Sequence, residues 1–190
     1  SLAISMAEFY KDLVFPVRTD RPFFYANFVS TMDGKVAVKT NSEAYWPIGS
    51  TLDYAVLVEL RAHADALVHG KTTACAHPTL QSLSKPEFKE MRKKLGKPEE
   101  LPYAVVTNHP EERMASSLVR EGRTKTILAT HEGAQVPETL ARSTEVVRCG
   151  EEKVDIGQFA SLLYARGARH VLVEGGPTLF ASFLEARLID

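Results

Sequence analysis

Cysteine, tryptophan and long apolar runs are all scarce in this chain of 190 residues. It holds one tryptophan and two cysteines, Cys75 and Cys149. The cysteines match neither a metal-ligand spacing nor a redox motif, so neither a metal centre nor a disulfide framework is expected. No segment approaches the roughly 18 consecutive apolar residues of a membrane span, and the N-terminal stretch lacks the basic start and apolar core of an export signal. These absences predict a protein of the reducing cytoplasm with no membrane partner.

An excess of charge of either sign is also missing. The 23 lysines and arginines nearly balance the 24 aspartates and glutamates, which gives a formal net charge of −1. A balanced chain has no broad electrostatic attraction to polyanions, so no nucleic-acid partner is expected. The hydrophobic share of 44% and the charged share of 25% are typical of one globular domain with a substantial core.

Several well-known catalytic motifs are absent. The chain contains no Gly-x-Gly-x-x-Gly dinucleotide fingerprint, no Walker phosphate loop, no Gly-x-Ser-x-Gly nucleophile elbow and no His-Glu-x-x-His. The Pro-Cys-x-x-Cys that zinc deaminases use to hold a metal-activated water is missing as well. Hydrolysis by a metal or by an activated serine is therefore poorly supported.

What the chain does contain is a regular alternation of strands and helices through its second half. The periodicity predicts strands over 23–30, 35–38, 66–70, 103–108, 126–130, 144–148 and 170–173, and helices over 51–63, 113–121, 155–166 and from 177. Residues 85–100 are charged and are predicted to form a solvated helix or loop. Thr72 and Thr73 are placed in a loop after a buried strand. This alternation predicts an α/β fold with a mainly parallel sheet and helices on both faces.

Asp33-Gly34 is a strong turn dipeptide between two predicted strands. The simplest interpretation is a plain hairpin turn that joins 23–30 to 35–38. A functional role for Asp33 stays open as the alternative.

The most informative stretch runs from the predicted strand at 170–173 through Glu174, Gly175 and Gly176 to Pro177. The glycines can take positive φ and let a ligand approach the backbone, and proline suits the first position of a helix, whose free N–H groups bind anions. A nucleotide pyrophosphate would fit there. An ordinary strand-to-helix turn is the alternative. Glu174 favours the ligand interpretation, because open α/β sheets bind ligands at the carboxyl ends of their strands.

Four segments in order resemble one known family. They are Arg21-Pro22 leading to Ser30-Thr31-Met32-Asp33-Gly34, then 60–66, then Gly70-Lys71-Thr72-Thr73 with Pro78-Thr79-Leu80, and finally 173–179. Together they resemble the reductase domain of riboflavin biosynthesis, which is the C-terminal half of the bacterial bifunctional deaminase-reductase. The resemblance covers residues 21–190 and leaves 1–20 as an N-terminal extension.

The resemblance implies a dihydrofolate-reductase-like fold, NADPH as cofactor and a homodimer. It also implies an oxidoreductase of the 5-amino-6-(5-phosphoribosylamino)uracil reductase type. Such an enzyme reduces the ribosyl group of its substrate, a phosphoribosylamino-pyrimidine, to a ribityl chain. The cofactor would carry the hydride, and the protein would supply orientation and exclusion of water.

Residue by residue, the resemblance also implies roles in the site. The cofactor-binding candidates are Thr73, Asn108, Gly175, Gly176, Pro177, Thr178, Leu179 and Lys71. Arg61, Glu174 and Ser42 are the substrate-binding candidates, and Glu174 and Asp33 are both plausible catalytic groups. Lys71, with Arg113 as a second candidate, could meet the 2′-phosphate of NADPH. Alternatively, Arg61 is a helix-surface residue that pairs with Glu59 or Asp65. No metal is expected.

The chain departs from the family pattern mainly on the substrate side. Ala76-His77-Pro78 replaces an acidic pair before proline, Leu83 stands where a basic residue is usual, and 41–48 is altered. The sequence ends at Asp190, where the family adds a further pair of strands, so these strands are expected to be absent, either from a shortened chain or by nature. Two alternatives therefore remain: a reductase of the same fold for another imine, carbonyl or pterin-like compound, and a non-catalytic nucleotide-binding protein.

Overall fold

The computed structural model describes residues 9–10, 12–35, 38–39, 45–46, 49–76, 83, 85–118 and 126–190. The strands are β1 Phe23–Ala26, β2 Val38–Lys39, β3 Tyr45–Trp46, β4 Ala66–Gly70, β5 Tyr103–Val106, β6 Ile127–Thr130, β7 Glu145–Arg148 and β8 His170–Val173. The helices are α1 Thr51–His63, α2 Lys71–Ala76, α3 Pro86–Lys94, a 3₁₀ turn Glu112–Met114, α4 Ala115–Leu118, α5 Glu138–Ser143, α6 Ile156–Ala165 and α7 Pro177–Glu185.

Six strands form one sheet in the order β1-β8-β4-β5-β6-β7, and every neighbouring pair in it is parallel. Val171 of β8 shows the register, since it lies opposite Phe24 of β1 on one side and Ala66 of β4 on the other. A parallel sheet needs crossover helices, and the alternation in the sequence supplies them. The predicted parallel sheet is therefore confirmed.

Both faces of this sheet are buried. In β5, Ala104 and Val106 join a core with α6 and α7, while Tyr103 and Val105 join a second core on the opposite face. The second core is completed by α1, α3, α4 and α5, through side chains such as Leu60, Phe88, Leu118 and Leu140. Alternate strand residues point to opposite faces, so a strand that is apolar throughout must be covered twice. Helices on both faces, as predicted, satisfy this requirement.

Helix starts follow the capping signals of the sequence. The Ser50 side chain accepts a hydrogen bond from the backbone N–H of Asp53 at 3.1 Å, and the Asp155 side chain does the same for Gln158 at 2.9 Å. Each cap satisfies one of the N–H groups that a helix leaves without an internal partner. The starts predicted for α1 and α6 are both confirmed.

The charged segment 85–100 folds as α3, but it is not wholly solvated. Arg92 is 1% exposed and donates to the backbone carbonyls of Ala62, Ala64, Pro98 and Glu100. Burial lowers the pKa of its guanidinium to about 10. This arginine joins α3 to the end of α1 by satisfying backbone carbonyls.

Two local expectations are corrected by the structure. Asp33-Gly34 forms a tight turn, closed by hydrogen bonds between Thr31 and Lys35, but β1 ends at Ala26 and pairs with β8, so the turn joins no hairpin of β1. Thr72 and Thr73 lie in α2 and not in a loop, because the chain enters a helical turn directly after Gly70.

The segment before β1 contacts the second core. Phe15 stacks on Tyr25 with ring centroids 4.2 Å apart, and Tyr164 donates to the carbonyl of Thr19 at 2.9 Å. At the other end, Ile189 forms a parallel bridge with Phe24. Within the described residues, no helix has the length and apolar character needed to cross a membrane.

Candidate functional site

A cavity of about 1080 Å³ lies at the carboxyl ends of the parallel strands. Its lining comes from the segments that follow β4, β5, β7 and β8, at residues 70–73, 106–109, 150–158, 176–179, 182, 185 and 186. Open parallel sheets place their ligands at this edge. Of the cofactor-binding candidates, Lys71, Thr73, Asn108, Gly176, Pro177, Thr178 and Leu179 line this one cavity.

The two glycines of the pair do not have the positive φ that the sequence predicts. Gly176 is the N-cap of α7 with φ −65° and ψ 169°, and Gly175 is not among the residues with positive φ. Neither position requires the left-handed backbone that favours glycine. The reason for glycine here is therefore space and not backbone conformation.

Each glycine of the pair faces a different kind of space. A Cβ at Gly175 would lie 2.9 Å from Cδ2 of Leu179 and 3.5 Å from the backbone nitrogen of Gly70, so this glycine lets α7 approach β4. A Cβ at Gly176 would have no neighbour within 4 Å. Gly176 thus keeps the cavity open beside the N-terminus of α7, which carries N–H groups without internal partners.

One wall of the cavity, the loop 150–155 between β7 and α6, was missed by the sequence reasoning. Gly150 has φ +88°, and a Cβ there would overlap the carbonyl oxygen of Lys153 and approach the nitrogen of Asp155 at 2.9 Å. The Oδ1 of Asn108 accepts a hydrogen bond from the backbone N–H of Val154 at 2.8 Å. Asn108 therefore lines the cavity and also holds this wall in place.

A signal for this wall was present in the sequence. Gly150 follows a predicted strand, and Asp155 caps the next predicted helix, so 144–158 repeats the strand–glycine–helix pattern of 170–178. Two such patterns in a parallel sheet end at the same edge. The repeated pattern therefore marks 150–155 as a second loop at the ligand-binding edge.

The substrate-side candidates Arg61 and Glu174 contact each other. Arg61 donates from Nε to Oε1 of Glu174 at 2.7 Å and from Nη2 to Oε2 at 2.6 Å. Oε2 also lies 3.0 Å from Nε2 of His69, whose Nδ1 is 3.0 Å from the hydroxyl of Tyr103. The alternative that Arg61 is a surface residue paired with Glu59 or Asp65 is wrong: its side chain is 7% exposed.

This network keeps Glu174 ionised. Burial of Glu174 disfavours the charged carboxylate, but hydrogen bonds from Arg61 and His69 outweigh it and lower the pKa of Glu174 to about 2. Because Glu174 is ionised, the Nε2 of a neutral His69 is best protonated toward it, which leaves Nδ1 to accept from Tyr103. Arg61 and Glu174 thus bind the end of α1 to the end of β8.

Asp33 lies in the exposed turn, hydrogen-bonded to Lys35 and Thr31, which lower the pKa of its carboxyl group. It does not line the cavity. The two cations considered for a 2′-phosphate share one partner: Lys71 and Arg113 both pair with Glu111, and these two contacts hold the pKa of Glu111 at about 2. Ser42 and His77 lie outside the described residues.

The described residues contain no group of three histidine, cysteine, aspartate or glutamate side chains that could hold a metal ion. The site thus consists of the cavity at the strand ends and the buried ion pair of Arg61 and Glu174 at the end of β8.

Solved structures share this fold. A pyrimidine reductase-like protein from Corynebacterium diphtheriae superposes with a TM-score of 0.68 at 21% identity, over 90% of this chain and 72% of that one. RibD of Acinetobacter baumannii superposes with a TM-score of 0.66 at 19% identity, over 90% of this chain and 45% of that one. The likeness confirms the expected dihydrofolate-reductase-like fold.

Sequence relatives point to the same family. The 2,5-diamino-6-ribosylamino-4(3H)-pyrimidinone 5′-phosphate reductase of Archaeoglobus fulgidus is 29% identical over 174 residues, which are 90% of this chain and 77% of the relative. The reductase of the same name from Methanothermobacter thermautotrophicus is 28% identical over 173 residues, 90% of this chain and 74% of the relative. The family model of the RibD C-terminal domain matches residues 22–190. The chain therefore belongs to the RibD C-terminal domain family.

Proposed function

We propose that this protein is an NADPH-dependent reductase of riboflavin biosynthesis that converts the ribosyl group of a phosphorylated ribosylamino-pyrimidine to a ribityl chain. The observation that carries the proposal is the cavity at the carboxyl ends of β4, β5, β7 and β8, which Gly176 keeps open beside the N-terminus of α7. The named relatives support the substrate class.

The size of the cavity supports a dinucleotide ligand. Its volume of about 1080 Å³ lies just above the range of about 300–1,000 Å³ that small-molecule sites occupy. The first turn of α7, at Thr178 and Leu179, has backbone N–H groups suited to the pyrophosphate, and the space above Gly176 admits it. Thr73 and Asn108 line the same space and are proposed as further cofactor contacts. When bound, the nicotinamide supplies the hydride.

The ion pair of Arg61 and Glu174 is proposed to shape the substrate side. It lies where β8 ends, directly before the glycine pair of the cofactor turn. Since both side chains are buried, Glu174 can hold Arg61 and the strand end in a fixed orientation toward a substrate. Glu174 and Asp33 are retained as proposed catalytic groups. Because both carboxyl groups are held ionised, the role they support is stabilisation of positive charge on the substrate and not donation of a proton.

Activity on defined substrates tests the proposal. The purified protein is mixed with NADPH and 2,5-diamino-6-ribosylamino-4(3H)-pyrimidinone 5′-phosphate, or with its deaminated uracil counterpart. We expect loss of NADPH absorbance and a product that has gained two hydrogens, with the diamino compound preferred, as the names of the relatives suggest. Consumption of NADPH only with pterin or simple carbonyl substrates would support the same-fold alternative.

Binding without consumption of NADPH on any of these substrates would instead support a non-catalytic nucleotide-binding protein. The cytoplasmic location, which the cysteine content predicts, and the homodimer, which the family resemblance implies, are further predictions. Cell fractionation tests the first, and light scattering of the purified protein tests the second.

A further inference from the structure

The loop 150–155 carries a lysine, Lys153, that lines the cavity and is exposed. Its side chain forms no hydrogen bond or ion pair with the residues that the structure describes. Lys71, the other lysine of the lining, is paired with Glu111. A phosphate that enters the cavity can therefore contact Lys153 without breaking an existing ion pair.

The loop that carries Lys153 lies across the strand ends from the cofactor turn. The backbone N–H of Val154 binds Asn108, which follows β5, and β5 is two strands away from β8, which leads into the turn at Gly176. Neighbouring strands lie about 4.8 Å apart, so the loop and the turn are separated by about 10 Å along the strand ends. A dinucleotide anchored by its pyrophosphate near Gly176 can extend one nucleoside along the strand ends toward Lys153. Asp33 and β1 lie at the opposite side of the sheet.

The loop is held firmly enough to present a defined charge. Asn108 binds the nitrogen of Val154 at 2.8 Å, the Oε1 of Gln158 accepts from the nitrogen of Gly150 at 3.0 Å, and the nitrogen of Asp155 donates to Cys149 at 3.0 Å. Gly150 closes the loop with a left-handed backbone. A lysine on such a loop loses little further backbone freedom when it binds an anion.

We propose that Lys153 reads the 2′-phosphate of the cofactor and sets the preference for NADPH over NADH. This inference rests on the proposed function, and it assigns the 2′-phosphate to Lys153 in place of Lys71 and Arg113, which both pair with Glu111. The neighbouring carboxylates of Glu151 and Glu152 also line the cavity and repel a phosphate. They limit the preference that Lys153 creates.

Fragment binding tests the assignment without turnover. Adenosine 2′,5′-bisphosphate and 5′-AMP are titrated calorimetrically into the wild-type protein and into Lys153→Ala, Lys71→Ala and Lys93→Ala. Lys93 is an exposed lysine of α3 outside the cavity lining, so its variant controls for the loss of one charge. We expect the wild type to favour the bisphosphate by roughly tenfold or more, as one charge-assisted contact implies.

In Lys153→Ala this preference should fall to about threefold or less while 5′-AMP binding changes little, and Lys93→Ala should match the wild type. Glu152→Gln should raise the preference. The same ratios are expected for NADP⁺ against NAD⁺.

A preference that survives in Lys153→Ala, or that is lost only in Lys71→Ala, overturns the assignment, as does a wild type that binds both fragments equally. These outcomes leave the proposed function standing if NADPH is still oxidised by the pyrimidine substrate. If the wild type prefers the bisphosphate through Lys153 but reduces no substrate, the proposed function is contradicted while the assignment of Lys153 stands.

Discussion

The guanidinium of Arg61 holds the carboxylate of Glu174 through two hydrogen bonds of 2.7 and 2.6 Å, across a separation of 113 residues in the chain. Both side chains are less than a tenth exposed. A buried pair of this kind is costly to break on one side, because the remaining group loses the opposite charge that faced it. The pair therefore contributes to the stability of the fold and also fixes the two side chains that are proposed to shape the substrate side.

Replacing Glu174 with Gln should destabilise the protein. The change removes the carboxylate charge that faces the buried guanidinium of Arg61, which costs about 3–5 kcal/mol of unfolding free energy. Urea unfolding followed by circular dichroism measures it, with Glu87→Gln on the exposed face of α3 as the control. The double variant Arg61→Met with Glu174→Leu should recover much of the loss, since an apolar pair leaves no charge behind. A Gln variant of normal stability but with kcat/KM reduced at least tenfold would instead assign Glu174 a direct catalytic role.

Acid should weaken the wild type through the same carboxylate. The pKa of Glu174 is about 2 in the fold, against 4.5 when it is unperturbed, so its ionised form contributes stability that is fully present above pH 4.5. This contribution, about 3 kcal/mol, is lost as the pH falls from 4.5 toward 2. Unfolding free energies measured from pH 6 to pH 3 should decline more steeply for the wild type than for the Arg61→Met, Glu174→Leu variant. Equal slopes would contradict the role of the pair.

The two glycines of the cofactor turn should respond differently to substitution. Gly176→Val places its side chain in open space beside the cavity, so NADPH affinity should fall at least tenfold while unfolding free energy falls by only about 1 kcal/mol, the cost of a poor N-cap residue. Gly175→Ala forces a Cβ against Leu179 and should cost about 1–3 kcal/mol of stability. Fluorescence titration with NADPH and urea unfolding separate the two effects. Unchanged affinity in Gly176→Val would show that the turn binds no cofactor.

The loop 150–155 should need glycine at position 150 for two reasons: the positive φ of this residue and the lack of space for a Cβ. Gly150 and Gly167 have almost the same φ, +88° and +89°, but only a Cβ at Gly150 meets other atoms. Gly150→Ala should therefore cost more stability than the roughly 1–2 kcal/mol expected for Gly167→Ala, and it should also weaken NADPH binding. Asn108→Ala, which removes the acceptor for Val154, should weaken binding in the same way. Equal losses in the two glycine variants would argue against a closely built loop.

Local signals made much of the fold predictable. Ser50, Asp155 and Pro177 lie at helix starts because short polar caps and proline act within one turn of the backbone. The apolar strands β4, β5 and β6 require cover on both faces whatever their neighbours are. The cavity also follows, since segments after parallel strands meet at one edge.

The expectations that failed concerned strand pairing, which depends on distant segments, and weak local helix preferences, which compete with packing. Asp33-Gly34 forms a turn whether or not the flanking strands pair as a hairpin. Only the structure shows that β1 pairs with β8 and forms no hairpin across this turn. Thr72 and Thr73 carry weak helix preference, yet α2 begins directly after Gly70, with Ala74 buried in the second core. Such preferences amount to tenths of a kcal/mol and are overridden by packing.

By itself, the sequence determined the order of elements, the parallel sheet, the family and seven of the residues that line the cavity, because these depend on local periodicity, capping and motif order. Only the tertiary structure decided that Arg61 binds Glu174, that Gly175 serves close packing while Gly176 leaves open space, and that Lys71 pairs with Glu111 while Lys153 forms no ion pair with the described residues. The physical reason is that charge pairing and steric space are properties of atoms brought together from distant segments. A carboxylate at position 174 has the same local sequence whether it faces a substrate or an arginine 113 residues away.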